Sequence, residues 1–189
     1  MTQLSTSQWT VDEARRTASM TAAYGAPWLF AFTLTLGATA VASFFLPMEI
    51  AVLVALFQGG VALPLAFTLE RKLGSGPMAA DHPLRSLSIQ LAMVQSLALP
   101  AAIMMYSVNP ALVPATFAAI GGAHFLPYVW LHRTKIYLAL AIAIAFGSWA
   151  IMIIGGEVAW RGVLIWWPLC LGIGGIVLLA KYRKESVVA

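Results

Sequence analysis

The chain has 189 residues, of which 61% are hydrophobic and 10% charged, with a net charge of +4 and a mean hydropathy of +0.86. A soluble domain carries roughly 25% charged residues, because charged side chains are what cover a water-facing surface. A chain so poor in charge is solvated by lipid, which excludes an attached soluble catalytic domain. The single cysteine, Cys170, excludes an internal disulfide and a CxxC redox or metal pair, and is read as an apolar residue buried in a span.

Residues 1–27 form a polar leader. Thr10 and Glu13 have capping-box spacing, in which each side chain satisfies an orphan backbone donor, so a short interfacial helix over 11–23 is predicted before Pro27. The apolar run that opens at Trp28 is longer than the roughly 7–15 residues of a signal-peptide core and is read as a retained anchor. Span 1 covers 28–46, and Pro47 with Glu49 makes the turn. Span 2 covers 48–69, interrupted by Gly59-Gly60 and Pro64, and a polar loop follows over 70–88. Span 3 covers 89–106, and Asn109-Pro110 connect it tightly to span 4, 111–130, which holds Gly121-Gly122, His124 and Pro127. Span 5 is 136–154, a loop over 155–162 follows, and span 6 is 163–180 before a basic tail over 181–189. Each run approaches the roughly 20 residues that cross a hydrocarbon core of about 30 Å. The expected fold is an all-α integral membrane protein: a polytopic bundle of six transmembrane helices over 28–180.

Six spans put Arg15, Arg16, Arg71, Lys72, Arg85, Arg133, Lys135, Lys181, Arg183 and Lys184 on one side, leaving only Arg161 opposite. Positive residues stay cytoplasmic, so both termini are expected in the cytoplasm and the protein in the inner membrane. These charges flank spans and form no nucleic-acid module, although the sequence pI is 9.5. Anionic lipid headgroups are the partners they suit. Tryptophans and tyrosines near the span ends fit an interfacial belt.

Small residues recur at four-residue intervals in span 4 (Ala115, Ala119, Ala123; Ala118, Gly122) and span 5 (Ala139, Ala143, Gly147). Such stripes let helix backbones approach, either within one chain or across a homodimer. Paired glycines and intramembrane prolines predict breaks in the helices. Broken helices build substrate sites in some membrane proteins, but both residue types are also simply common in membrane helices.

Few polar groups lie inside. At about 1.5 Å per residue, His124 lies about 20 Å from the outer start of span 4, and Gln95 and Gln58 fall at comparable or slightly shallower depth. Tyr128 shares a helical face with His124, as Ser88 does with Gln95. A groove lined by Gln58, Ser88, Gln95, His124 and Tyr128 is the sharpest functional expectation, with His124 as ligand contact or proton relay. The opposing expectation is that His124 only bridges helices. Glu49, Glu157, Trp160 and Arg161 are candidates for an outer rim, where Glu157 and Arg161 have the spacing of a helical ion pair.

No HExxH, nucleophile-elbow, P-loop or Rossmann motif is present, no span carries two carboxylates, and no cofactor or metal is expected. Three function classes follow. The preferred one binds or transports a small or amphiphilic molecule, in keeping with the scarcity of buried charge. A noncatalytic assembly or partner-stabilising protein is the second. A membrane-embedded lipid-modifying enzyme is the third, and it lacks an adequate second reacting group beside His124.

Overall fold

The computed structural model describes residues 9–188, and all of their regular structure is helical. The helices are α1 (Val11–Thr21), α2 (Ala26–Ala42), α3 (Met48–Phe57), α4 (Gly59–Leu73), α5 (Arg85–Val108), α6 (Val113–His124), α7 (Leu126–Leu131), α8 (Ile136–Ile154) and α9 (Ala159–Val188). Single 3-10 turns at Ala23–Gly25, Pro110–Leu112 and Gly156–Val158 lead into α2, α6 and α9. Helices α3 with α4, and α6 with α7, are the halves of broken spans, so six segments are long and apolar enough to cross a membrane.

The leader begins with the capping box read from Thr10 and Glu13. The Thr10 hydroxyl accepts from the Glu13 amide at 3.2 Å and the Glu13 carboxylate accepts from the Thr10 amide at 2.9 Å. The Thr10 hydroxyl, donating to the Glu13 carboxylate at 2.6 Å, and then the Thr10 amide hold the Glu13 carboxyl below the usual carboxylate range. Several span ends differ from the expected ones. Helix α2 stops at Ala42 rather than 46, and residues 43–45 continue as turns in which the Phe44 and Phe45 amides donate to the Val41 and Ala42 carbonyls at 3.2 and 2.9 Å. Helix α4 runs on to Leu73, with Arg71 and Lys72 in its last turn, where cations favour the helix dipole. The basic tail continues α9, supported by a Lys181–Glu185 pair at 2.7 Å one helical turn apart.

Helix α9 is the centre of the bundle, packed on α2, α8 and α6. The predicted approach of spans 4 and 5 is made by α6 and α8, but only one of the small-residue stripes makes it. A Cβ on Gly122 would lie 2.8 Å from the Ala141 carbonyl oxygen and 2.9 Å from the Ala145 methyl, so Gly122 meets Ala141 and Ala145. The Ala143–Gly147 stripe instead accepts an indole from α9: Trp166 donates to the Ala143 carbonyl at 2.8 Å and lies against Gly147. Across from it, Trp167 packs edge-on to Phe117, 5.0 Å between ring centres, beneath Gly121.

Span 2 bends at Gln58. Val61 and Ala62 both turn back to the Gln58 carbonyl at 2.9 Å, and Pro64, with no amide hydrogen, leaves the Gly60 carbonyl without its helical donor. After the bend α4 lies along α2, while α5 lies along α6. Helix α5 is consequently the most exposed of the spans, with only Ala102 fully buried.

Gly122→Val is expected to cost about 1–3 kcal/mol through overpacking, because its first new atom meets backbone. Gly60→Ala meets nothing within 4 Å and should stay within about 0.5 kcal/mol of wild type. Thermal unfolding in detergent measures both.

Candidate functional site

Helix α6 ends at His124 because of Pro127, whose missing N–H leaves the Ala123 carbonyl without its usual partner. Phe125 and Tyr128 close the break with tighter bonds to Gly122 and Phe125, each 3.1 Å. His124 therefore sits at a step in the helix. Its Nδ1 is buried and has no hydrogen-bond partner among the described residues. The ring meets Tyr128 at 5.2 Å and Phe125 at 5.8 Å between centres. Trp167 Nε1, against Gly121 one turn earlier, is a second buried and unpartnered polar atom.

Of the expected groove residues, His124 and Tyr128 are in ring contact. Gln58 lies at the span 2 bend, but its side-chain oxygen accepts from the Thr35 hydroxyl of α2. Ser88 and Gln95 are half-buried on α5, and neither hydrogen-bonds to His124 among the described residues. At the opposite end of the bundle, Glu49 and Glu157 are exposed and Trp160 is buried. Arg161 makes no salt bridge to Glu157, because the intervening turn is 3-10 and α9 begins only at Ala159. It donates to the Ser43 carbonyl at 3.0 Å and stacks on Phe44 and Trp160 instead. His82, in the polar loop over 70–88, is buried against Trp9, and its Nδ1 accepts from the Leu84 amide at 3.1 Å.

The group that sequence reasoning missed surrounds His132. Residues 124, 128 and 132 follow one another on a helical face, a periodicity present in the sequence. The rings form a cluster in which three meet one another: Tyr128 and His132 at 5.8 Å, His132 and Tyr137 at 5.4 Å, and Tyr128 and Tyr137 at 5.5 Å, with Tyr24 6.0 Å from His132. Ser19 donates to the Arg15 carbonyl at 2.8 Å, so His132 Nδ1, 3.0 Å from the Ser19 oxygen, is the donor of that pair. Beside it, Tyr137 donates to the Tyr24 carbonyl at 2.7 Å. Gly25 makes this corner buildable. Its φ is +78°, and a Cβ there would strike the Tyr137 hydroxyl.

Beside the ring cluster a cleft of about 870 Å³ opens at the basic end of the bundle. Helix α1, residues 132–133 and the end of α9 line it, and His132 with Tyr24 makes part of its wall. Arg15 fixes α1 across this end by donating to the Trp130 carbonyl and stacking 4.5 Å from the Trp130 ring.

A bundle of six long apolar helices, with a histidine step inside and a charged cleft at one end, is a membrane-type helical bundle. The chain belongs to DUF7010, a family of unknown function, whose profile matches residues 11–181. No curated protein and no solved structure matches the chain.

Gly25→Ala is expected to lose at least about 1–2 kcal/mol from the left-handed backbone alone, and more from displacing Tyr137. Tyr137→Phe should cost about 1 kcal/mol for the lost bond. The double variant should fall short of the sum, because the phenyl ring leaves room for the new methyl; denaturant titrations of all four proteins measure that coupling.

His132 lies just beyond its span, and burial pushes its imidazole from the ordinary 6.5 down to about 3. Between those values the unfolded chain holds a proton that the folded protein does not. Stability should therefore fall as pH falls from about 6.5 towards about 3. Unfolding midpoints across that window should depend less on pH in His132→Gln than in wild type.

Proposed function

We propose that this chain is a multi-pass inner-membrane protein, with both termini cytoplasmic, that binds or moves a small or amphiphilic molecule through a groove containing His124. The observation that carries this reading is the buried, unpartnered Nδ1 of His124. Leaving such a group unsatisfied costs about 1–3 kcal/mol, and in hydrocarbon no bulk water relieves it. A ligand with one polar group would satisfy it, and the buried indole N–H of Trp167, on α9 with its ring against Gly121, is a second polar group without a partner among the described residues. The rings against His124 are those of Phe125 and Tyr128, which suits a ligand that is otherwise apolar. The cytoplasmic placement of the termini rests on ten basic residues at one end of the spans against Arg161 at the other.

Exposure of α5 along nearly its whole length favours a second reading, an assembly or partner-stabilising protein that covers this helix, with a homodimer as the simplest case. A lipid-modifying enzyme has less support, because beside His124 only Tyr128 brings a further titratable ring.

The His124→Phe variant separates these readings. Protein extracted gently from its membrane is examined by native mass spectrometry for retained small molecules. Wild type is expected to carry an adduct whose occupancy drops at least about tenfold in the variant, the equivalent of one lost buried hydrogen bond, with the melting temperature held or raised. Equal retention in both proteins, or none in either, would overturn the groove.

A further inference from the structure

The cleft between α1 and the end of α9 is lined by four cations, Arg16, Arg133, Lys181 and Lys184. Its three carboxylates are already engaged. Asp12 pairs with Arg133 at 3.0 Å and with Arg15 at 3.6 Å, and Glu13 is held by its capping box. Glu185 accepts from Lys181 at 2.7 Å and from the Tyr24 hydroxyl at 2.5 Å. Arg16 and Lys184 are exposed, and among the described residues neither has an ion pair or side-chain hydrogen bond. Four cations against three carboxylates leave the cleft one net positive charge, and the Arg16 guanidinium and Lys184 ammonium are its cations without a direct partner among the described residues, beside the wall of Tyr24 and His132.

Two further observations point to a built site. Among the described residues the non-glycine positions with left-handed backbone are Ala23, Tyr24 and Arg133, at φ 46°, 56° and 50°, and the last two line the cleft. Conformations of this kind cost on the order of 1–3 kcal/mol each and persist where surrounding structure holds them, commonly at ligand clamps. The location is equally specific. The cleft lies where the spans end, beside Trp130 at the close of α7 and at the foot of α9, the level at which lipid headgroups meet a bundle. Its volume falls in the range of ligand pockets, about 300–1,000 Å³.

We propose that this cleft binds the phosphate-bearing headgroup of an anionic membrane lipid, with Arg16 and Lys184 as the two contacts to the phosphate oxygens. A guanidinium fork suits paired phosphate oxygens and the ammonium supplies a mobile point charge. The acyl chains would follow the apolar outside of the spans. This site rests on the membrane placement of the bundle and is independent of the His124 groove.

The test uses the full chain in phosphatidylcholine nanodiscs containing a minor fraction of phosphatidylglycerol, with bound lipid counted by native mass spectrometry. Wild type is expected to retain phosphatidylglycerol over phosphatidylcholine. Arg16→Gln/Lys184→Gln should bind it roughly ten- to thirtyfold more weakly, the loss of two cation contacts. Arg71→Gln/Lys72→Gln, which removes two exposed cations at the same end but outside the cleft, should bind as wild type. An equal loss in both double variants would mean diffuse surface attraction and overturn the site. Retention with no headgroup preference would also overturn it. Displacement of the lipid by inorganic phosphate at equal concentration would assign the cleft to a soluble anion and overturn the lipid. Melting temperatures of both variants establish that they remain folded.

Discussion

The hydroxyl of Tyr137 rests in the space where a side chain at residue 25 would begin, and it donates to the backbone of Tyr24. That approach fastens the corner between α1 and α2 to the start of α8. It requires a glycine in left-handed conformation, and it brings Ser19 against His132 so that a second buried bond forms beside the first. Helix α1 is thereby held across the basic end of the bundle. Without this corner α1 would hang from the spans as a polar leader, and neither the ring cluster nor the cleft would have its second wall.

A different constraint acts within the spans. Lipid offers no hydrogen bonds, so a broken membrane helix must satisfy its freed backbone groups locally. The breaks at Gln58 and Phe125 do so through short-range bonds to nearby carbonyls. Each break also places a polar side chain at mid-span. Gln58 found a partner in the Thr35 hydroxyl of the adjoining helix, whereas His124 found none for Nδ1. The difference lies in the neighbours. Gln58 faces a threonine hydroxyl, whereas the rings against His124, Phe125 and Tyr128, bring no hydrogen-bond partner to its Nδ1 among the described residues.

Close packing in the core is correspondingly specific. Glycines 121 and 122 sit side by side on α6 but serve two helices, one accepting the Trp167 ring of α9 and the other the backbone of α8. Polar and apolar contacts combine at Trp166, whose ring fills the notch at Gly147 while its N–H reaches the Ala143 carbonyl. Van der Waals contact and a few such bonds replace the hydrophobic force that lipid cannot supply between helices.

The amino-acid sequence determined the number of spans, the leader helix with its capping box, the breaks near Gly59-Gly60 and Pro127, and the asymmetric distribution of charge. These features depend on local hydropathy, on hydrogen bonds three or four residues apart and on the missing amide of proline, all of which are legible in a linear chain. The contact between His124 and Tyr128 was legible for the same reason. The partner of Gln58, the loss of the Glu157–Arg161 pair, the burial of His132 and the cleft beneath it were decided by tertiary structure. Each depends on residues more than twenty positions apart in sequence or on the geometry of a turn, such as Ser19 against His132 and Tyr24 against Tyr137. Helical periodicity says which residues share a face; only the packed bundle says what that face meets.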